Sequence, residues 1–212
     1  YYTVRNEVIT LFYINVQCIR NKMLELEAYL EEQEVNIFCV CEHWLHPEEK
    51  QLYNFTNYTL VSVFCRPEVQ HGGVGIFSRN TVTAKELPLT QFCVKLCLEM
   101  CGVYLSNEDV ICIVIYRPPK GCIYTFFSKL YEFLMYISSK YKSKWILSGD
   151  FNIEFLTNND NENKLLDLHS FNLFETVNEP TKISRMSRTC YDNIVTNSST
   201  QFSTQVVHKV FG

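Results

Sequence analysis

The sequence predicts a layered α/β sandwich, in which two mixed β-sheets pack face to face and helices cover their outer surfaces. A strand, a helix and a second strand follow one another over residues 8–41, which is the pattern of a parallel crossover unit. Two later segments, residues 65–78 and 104–110, are typical of hairpins between antiparallel strands. Because both kinds of connection occur, two packed mixed sheets fit the pattern better than one doubly wound parallel sheet.

The first unit begins with an apolar strand over Val8–Val16. The segment Arg20–Glu34 has no glycine or proline and is predicted to be a helix, because three apolar residues recur on one face: Met23, Leu26 and Leu30. Asn36–Cys41 is predicted to be the next strand. The short helix between the two strands indicates that they are parallel.

The middle of the chain is predicted to be mostly antiparallel. Tyr58–Phe64 is a strand candidate, and the glycines within residues 66–75 favour a hairpin turn into Val74–Ser78 over a pyrophosphate-binding loop, because no helix follows them. Alternating apolar and charged residues over Cys93–Tyr104 indicate a half-buried strand. We expect it to pair with Asp109–Tyr116 after a turn.

The strongest predicted helix is Tyr124–Tyr141, which carries an apolar stripe at helical spacing: Phe126, Phe127, Leu130, Phe133, Leu134 and Ile137. A buried strand at 145–147 follows, and Gly149 at its end is expected to let the backbone turn tightly. Further predicted elements are a helix at Asn163–Ser170 and strands at Tyr191–Thr196 and Phe202–Val207.

Polar side chains follow several of the predicted strands, where α/β proteins place their chemistry. They are Asn15, Glu42, Tyr116, Asp150 and Asn152. Glu42 and Asp150 come directly after buried runs, so each carboxylate needs exposure or a partner. Ordinary roles also fit these residue types: Asn15 as a helix cap or turn residue, Tyr116 as a half-buried aromatic, and Asp150 with Asn152 as a turn.

Composition restricts the class of protein. With 212 residues, 47% of them hydrophobic, and no repeat or low-complexity tract, the chain predicts one domain over residues 1–212, with two domains as the alternative. The formal net charge of −4 argues against coating nucleic acid by bulk charge. No apolar run approaches the ~18 residues of a membrane span.

Ten cysteines occur without a CxxC pair, and most lie in apolar strand candidates, so we interpret them as small buried hydrophobic residues. The string from Cys39 to His46 contains zinc-ligand residue types but lacks zinc spacing. A chain of this length does not need disulfides to bury a core. These features predict a reduced, intracellular protein, either nuclear or cytoplasmic.

Six short motifs in order along the chain carry a family resemblance: NVQCIRNK at 15–22, CEHWL at 41–45, GGVGIF at 72–77, YRPPKG at 116–121, SGDFNI at 148–153 and TCYDNI at 189–194. Each motif is weak alone, but six in this order are specific. The chain resembles the endonuclease/exonuclease/phosphatase superfamily, with its deoxyribonuclease-I-like fold. More narrowly, it is similar to the endonuclease domain of jockey-type non-LTR retrotransposons.

The resemblance implies a DNA-nicking phosphodiester hydrolase that depends on Mg²⁺, with Mn²⁺ as an alternative. Glu42 and Asn15 would hold the metal and position phosphate. Asp150 would activate the attacking water, Asn152 would bind the phosphate, and Tyr116 would stabilise the phosphate or the leaving oxygen. Asp192 would orient a histidine. The basic residues near the predicted rim are candidates for substrate binding: Arg117, Arg185 and Arg188.

The resemblance also implies DNA as the partner and natural fusion to a reverse transcriptase, with no membrane and no obligate protein partner. The sequence departs from the family at one place: members end with a strand and Ser-Asp-His, whereas this chain ends VVHKVFG, and His208 is not in that motif. We therefore expect a domain that lacks its last strand, with an open sheet edge and impaired activity. Two alternatives remain, a silent remnant that at most binds nucleic acid and a phosphatase or phosphodiesterase for lipid or inositol phosphates.

Overall fold

A first sheet of four strands is built from the amino-terminal part of the chain. The computed structural model describes residues 8–67, 71–156, 171, 173–184, 187–198 and 203–207. The sheet has the order β1-β2-β4-β3, with β1 at Leu11–Asn15, β2 at Ile37–Cys41, β3 at Tyr58–Phe64 and β4 at Val74–Arg79. Strands β1 and β2 are parallel and helix α1, Met23–Glu32, connects them, which confirms the predicted crossover unit.

A second sheet has six strands in the order β5-β6-β7-β8-β12-β9. Their bounds are β5 Ala84–Leu87, β6 Glu99–Leu105, β7 Val110–Tyr116, β8 Lys144–Asp150, β9 Phe174–Glu175 and β12 Asp192–Thr196. The predicted antiparallel pair β6–β7 is confirmed, and helix α2, Ile123–Lys140, connects the parallel strands β7 and β8. A separate hairpin pairs β10, Lys182–Ile183, with β11, Arg188–Thr189.

The two sheets pack face to face, and among the described residues one α-helix covers each outer face. The layer between the sheets contains small and branched side chains of β2, β4, β6 and β7, including four buried cysteines: Cys39, Cys41, Cys101 and Cys112. Helix α1 packs on the first sheet, and the predicted stripe of α2 packs on the second sheet. The order of layers is therefore helix, sheet, sheet, helix, and the predicted α/β sandwich is confirmed.

Four sequence predictions need correction or fall outside the described residues. The predicted strand at 93–104 begins only at Glu99, because residues before it form a turn in which Leu96 is exposed with φ +56°. Residues 203–207 form no strand. The predicted helix at 163–170 lies outside the described ranges.

The fourth correction concerns Gly149, which is not a turn residue but an interior residue of β8. It pairs with Ile115 of β7 on one side and Asn193 of β12 on the other. A Cβ at this position would lie 2.0 Å from the Ile115 carbonyl oxygen. Glycine is therefore required by the close approach of two strands.

Helices of the described ranges are too short or too polar to cross a bilayer. All ten cysteines are described, and every one of them is a free thiol.

Candidate active site

The predicted polar residues meet where the ends of strands from both sheets come together. Asn15 ends β1, and its register partner on β2 is Cys41. Glu42 directly follows Cys41 in the chain. The Asn15 side-chain amide donates one hydrogen bond to Glu42 Oε1 at 3.0 Å and another to Asp150 Oδ2 at 2.9 Å. Asp150 ends β8 of the second sheet. One amide therefore joins carboxylates from two sheets.

Asp150 and Asp192 face each other because β8 and β12 pair antiparallel with these two residues in register. Burial, followed by the charge of Asp192, raises the pKa of Asp150 to about 7. Burial also raises the pKa of Asp192. Two hydroxyls hold the Asp192 carboxylate: Tyr13 donates to Oδ1 at 2.8 Å and Thr181 donates to Oδ2 at 3.1 Å. Asp150 and Asp192 therefore form an acidic pair in which one carboxylate readily accepts a proton.

Tyr116 is buried at the end of β7, in register with Asp150 on one side and Glu99 on the other. Burial and the nearby Glu42 carboxylate raise the pKa of its phenol, so the hydroxyl is kept as a donor. The Arg66 guanidinium lies 5.8 Å from the centre of the Tyr116 ring and forms a buried ion pair with Glu99. The sequence analysis missed Arg66 and Glu99, because their relation to the site comes only from pairing across the sheet.

Asn152 turns the chain after β8 with a left-handed backbone, φ +49°. Its N–H donates to Asp150 Oδ1 at 2.9 Å, and its side-chain amide donates to the Arg117 carbonyl at 2.8 Å. The buried Arg117 guanidinium donates to three backbone carbonyls: Phe151 at 2.7 Å, Gly121 at 2.9 Å and Asn152 at 2.6 Å. The expectation that Arg117 binds substrate therefore does not fit its position, since its donors are used to fix the Asp150–Asn152 turn.

Glu42, the first residue after β2, has a left-handed backbone with φ +54°. Trp44, two residues later, also has a left-handed backbone, with φ +59°. Such residues cost of order 1–3 kcal/mol each and persist only where their surroundings hold them. The backbone here is held on several sides, because Cys18 N–H donates to the Glu42 carbonyl and Trp44 N–H donates to the Gly72 carbonyl. Glu42, the residue predicted to bind metal, is therefore one of nine described non-glycine residues with a positive φ.

His43, between these two residues, belongs to the core and not to a metal site. Its Nδ1 accepts the Leu45 N–H at 2.9 Å, and its Nε2 lies 3.1 Å from the Phe64 carbonyl. Burial lowers the pKa of His43 to about 4, so the ring is neutral. Gly73, at φ +87°, leaves room for this ring, since a Cβ there would lie 2.4 Å from it. Gly73 therefore packs against His43, whereas Gly72 packs against the Arg66 side chain.

The residues at this rim fit a hard divalent cation. Among the described residues, no three His, Cys, Asp or Glu side chains form a metal-binding group. Glu42 supplies one carboxylate, and Asn15 Oδ1 is buried without a hydrogen-bond partner among the described atoms. One carboxylate, one amide oxygen and water match the preference of Mg²⁺, which keeps several waters and uses one or two carboxylates.

A cavity of about 780 Å³ runs along β1 beside this cluster. Asn15, Tyr13 and Asp192 line one end of it, whereas Glu42, Tyr116 and Asp150 do not line it. The predicted residues thus converge through hydrogen bonds, and Asn15 and Asp192 among them line this cavity. Arg188 is exposed on β11, and Arg185 and His208 lie outside the described residues.

The fold and the site define a class, a two-sheet α/β sandwich with paired carboxylates and amides at one rim. The sequence profile of the Endonuclease/Exonuclease/phosphatase family matches residues 13–203. The chain belongs to this family, whose members are hydrolytic nucleases and phosphatases that typically depend on divalent metal. A comparison with curated protein sequences finds no match.

Solved structures with the same fold include nucleases and phosphatases. The endonuclease domain of TRAS1, a telomere-specific non-LTR retrotransposon, is 14% identical, with a TM-score of 0.66 over 89% of this chain and 84% of that one. An AP endonuclease from Archaeoglobus fulgidus is 13% identical, with a TM-score of 0.66 over 90% and 87%. A variant of the 3′ phosphatase NExo from Neisseria, bound to a product DNA hairpin, is 15% identical, with a TM-score of 0.67 over 89% and 86%.

Proposed function

We propose that this chain is a Mg²⁺-dependent phosphodiester hydrolase that nicks DNA, the endonuclease domain of a non-LTR retrotransposon. The observation that carries the proposal is the hydrogen-bonded cluster of Glu42, Asn15 and Asp150, which unites two sheets. Support for DNA as substrate comes from the motifs YRPPKG and SGDFNI and from the likeness in fold to the TRAS1 endonuclease domain. Fusion to a reverse transcriptase stays a prediction of the same resemblance.

Each residue of the cluster has a distinct task in this mechanism. Asp150 accepts the proton of the attacking water on a carboxylate oxygen, and its raised pKa makes it a stronger base than an ordinary aspartate. The Tyr116 hydroxyl donates to an oxygen that becomes negative as the ester bond breaks. Asn152 keeps Asp150 oriented through its N–H and has one further amide hydrogen for phosphate.

Glu42 and Asn15 Oδ1 would hold the cation. When bound, Mg²⁺ or Mn²⁺ neutralises phosphate charge and polarises the ester. Tyr13 and Thr181 hold Asp192 beside Asp150. The negative charge of Asp192 raises the proton affinity of Asp150, so Asp150 accepts a proton more readily. The ten free thiols support a reducing compartment, nuclear or cytoplasmic.

Nicking of supercoiled plasmid in Mg²⁺ tests the proposal. Substitution Glu42→Gln keeps the shape of the side chain but removes its charge, and we expect the nicking rate to fall by about 10²–10³-fold. The matched control is Glu132→Gln, because Glu132 is exposed on α2 and pairs only with Lys129 among the described residues. This control should nick at the unsubstituted rate, and chelation of the metal should stop nicking in both.

Two results would contradict the proposal. Nicking that is equally fast in Glu42→Gln would show that the cluster is not the active site. Release of phosphate from phosphoinositide vesicles that is faster than nicking of DNA, and that is lost in Glu42→Gln, would keep the site but assign the chain to a lipid phosphatase.

A further inference from the structure

The indole of Trp44 contacts the side chain that the proposed function makes a metal ligand. Trp44 Nε1–H donates to Glu42 Oε2 at 3.1 Å, while Asn15 holds the other oxygen, Oε1, at 3.0 Å. Tyr116 is a third hydrogen-bonding partner of the same carboxylate. Because a carboxylate has about four lone-pair directions on its two oxygens, these three donors leave one direction open for a cation.

Trp44 is itself held firmly in place. Its carbonyl accepts Arg20 Nη2 at 2.9 Å, and the same guanidinium pairs with Glu49. The His71 ring stands edge-on to the indole with 4.3 Å between ring centres. His71 is exposed, and its ring also supports the indole from one side.

Like the Asn15 amide, the Trp44 indole is a neutral donor to Glu42, and its rigid ring fixes the direction of its N–H. A charged donor would compete with a cation for the carboxylate, whereas a neutral indole N–H leaves the negative charge intact. The left-handed backbone at both Glu42 and Trp44 brings the two side chains together within one turn of the chain. A phenylalanine could pack against His71 in the same way but could not donate.

We infer that Trp44 is a positioning residue that orients the Glu42 carboxylate for a divalent cation. This inference rests on the proposed function, since it needs Glu42 to be a ligand. Groups that hold a ligating side chain are commonly worth about 10–100-fold in metal affinity. Trp44→Phe should therefore weaken Mg²⁺ and Mn²⁺ binding by about tenfold or more and leave the fold intact.

Calorimetric titration of the purified chain with each metal ion alone tests this, together with thermal unfolding of every variant. The unsubstituted chain should bind the ion, Glu42→Gln should not, and Trp44→Phe should bind more weakly. A companion variant is His71→Ala, which removes the ring contact but keeps the indole donor, and it should weaken metal binding less than Trp44→Phe does. The matched control is Glu132→Gln, which lies away from the site on α2 and should bind metal like the unsubstituted chain. Trp145, the other tryptophan, is buried in the core, so an emission change on metal binding should disappear in Trp44→Phe.

The outcomes separate the two claims. If Glu42→Gln loses metal but Trp44→Phe binds as tightly as the unsubstituted chain, the proposed function survives and the role of Trp44 is refuted. Equal weakening in Trp44→Phe and His71→Ala would also refute it, because packing and not the N–H would then matter. If the unsubstituted chain and Glu42→Gln bind metal alike, or neither binds, Glu42 is not a ligand and both claims fail.

Discussion

Cys41 and Glu42 are neighbours in sequence but belong to two contrasting regions. Cys41 lies in the layer between the sheets, fully buried among apolar side chains of regular strands. Glu42 lies at the rim, with a left-handed backbone and a carboxylate linked to three other polar groups. Regular strand geometry therefore ends within one residue, because Cys41 is the last residue of β2 and Glu42 has a left-handed backbone.

The free energy of unfolding should depend on pH in alkaline solution, because four thiols are buried in the layer between the sheets. Burial raises the pKa of Cys39 to about 12, and it raises those of Cys41, Cys101 and Cys112 well above 9.0. Between pH 9 and 12 the unfolded chain releases these protons and the folded chain keeps them, so stability falls as pH rises. We expect a loss of about 1.4 kcal/mol per thiol at pH 10, or about 6 kcal/mol for the four.

Urea unfolding at pH 7.5, 9 and 10 with a reductant present measures this effect. Cys101→Ala should make the pH dependence shallower. Cys122→Ala should not, because hydrogen bonds from Thr125 lower the pKa of this exposed thiol. Unfolding free energies that stay constant from pH 9 to 10 would show that the four thiols are not buried together.

A substitution at the rim should have the opposite profile, with a large effect on rate and a small one on stability. Asp150→Asn keeps the size of the side chain but removes the proton acceptor, so we expect nicking to slow by about 10²–10⁴-fold. The free energy of unfolding should not fall, because the substitution removes a buried charge that destabilises the folded chain, and this offsets the lost hydrogen bond from Asn15. Parallel nicking and urea assays check both. Loss of stability as large as the loss of rate would erase the distinction between the two regions.

A substitution at the junction should affect both regions modestly. In Gly149→Ala the new methyl would strike the Ile115 carbonyl, which cannot move without shifting β7, so we expect about 1–3 kcal/mol of destabilisation and a displaced Asp150. Gly102→Ala is the control, because its methyl would meet only the end of the Leu89 side chain at 2.8 Å. If both variants are equally stable and equally active, the close approach of β7 and β8 does not position the site.

The sequence predicted the features that depend on neighbouring residues. Apolar runs that end in Glu42 or Asp150 are local signals, and so is the stripe of α2, so these elements were placed within one to three residues. The roles of Arg117, Trp44 and Arg66 depend on which carbonyl, carboxylate or ring each of them contacts in the folded chain. The spacing of residues along the sequence does not predict these contacts. Gly149 was misinterpreted for the same reason, since its neighbour Ile115 is 34 residues away in the chain.

Contacts that cross from one sheet to the other at the rim include those from Asn15 to Asp150 and from Tyr13 to Asp192. The cluster is complete only when both sheets have formed and docked, so a folding intermediate with a single finished sheet would be inert. Under the proposed function, the chain therefore becomes active only when both sheets have docked, and a partly folded chain cannot cut DNA.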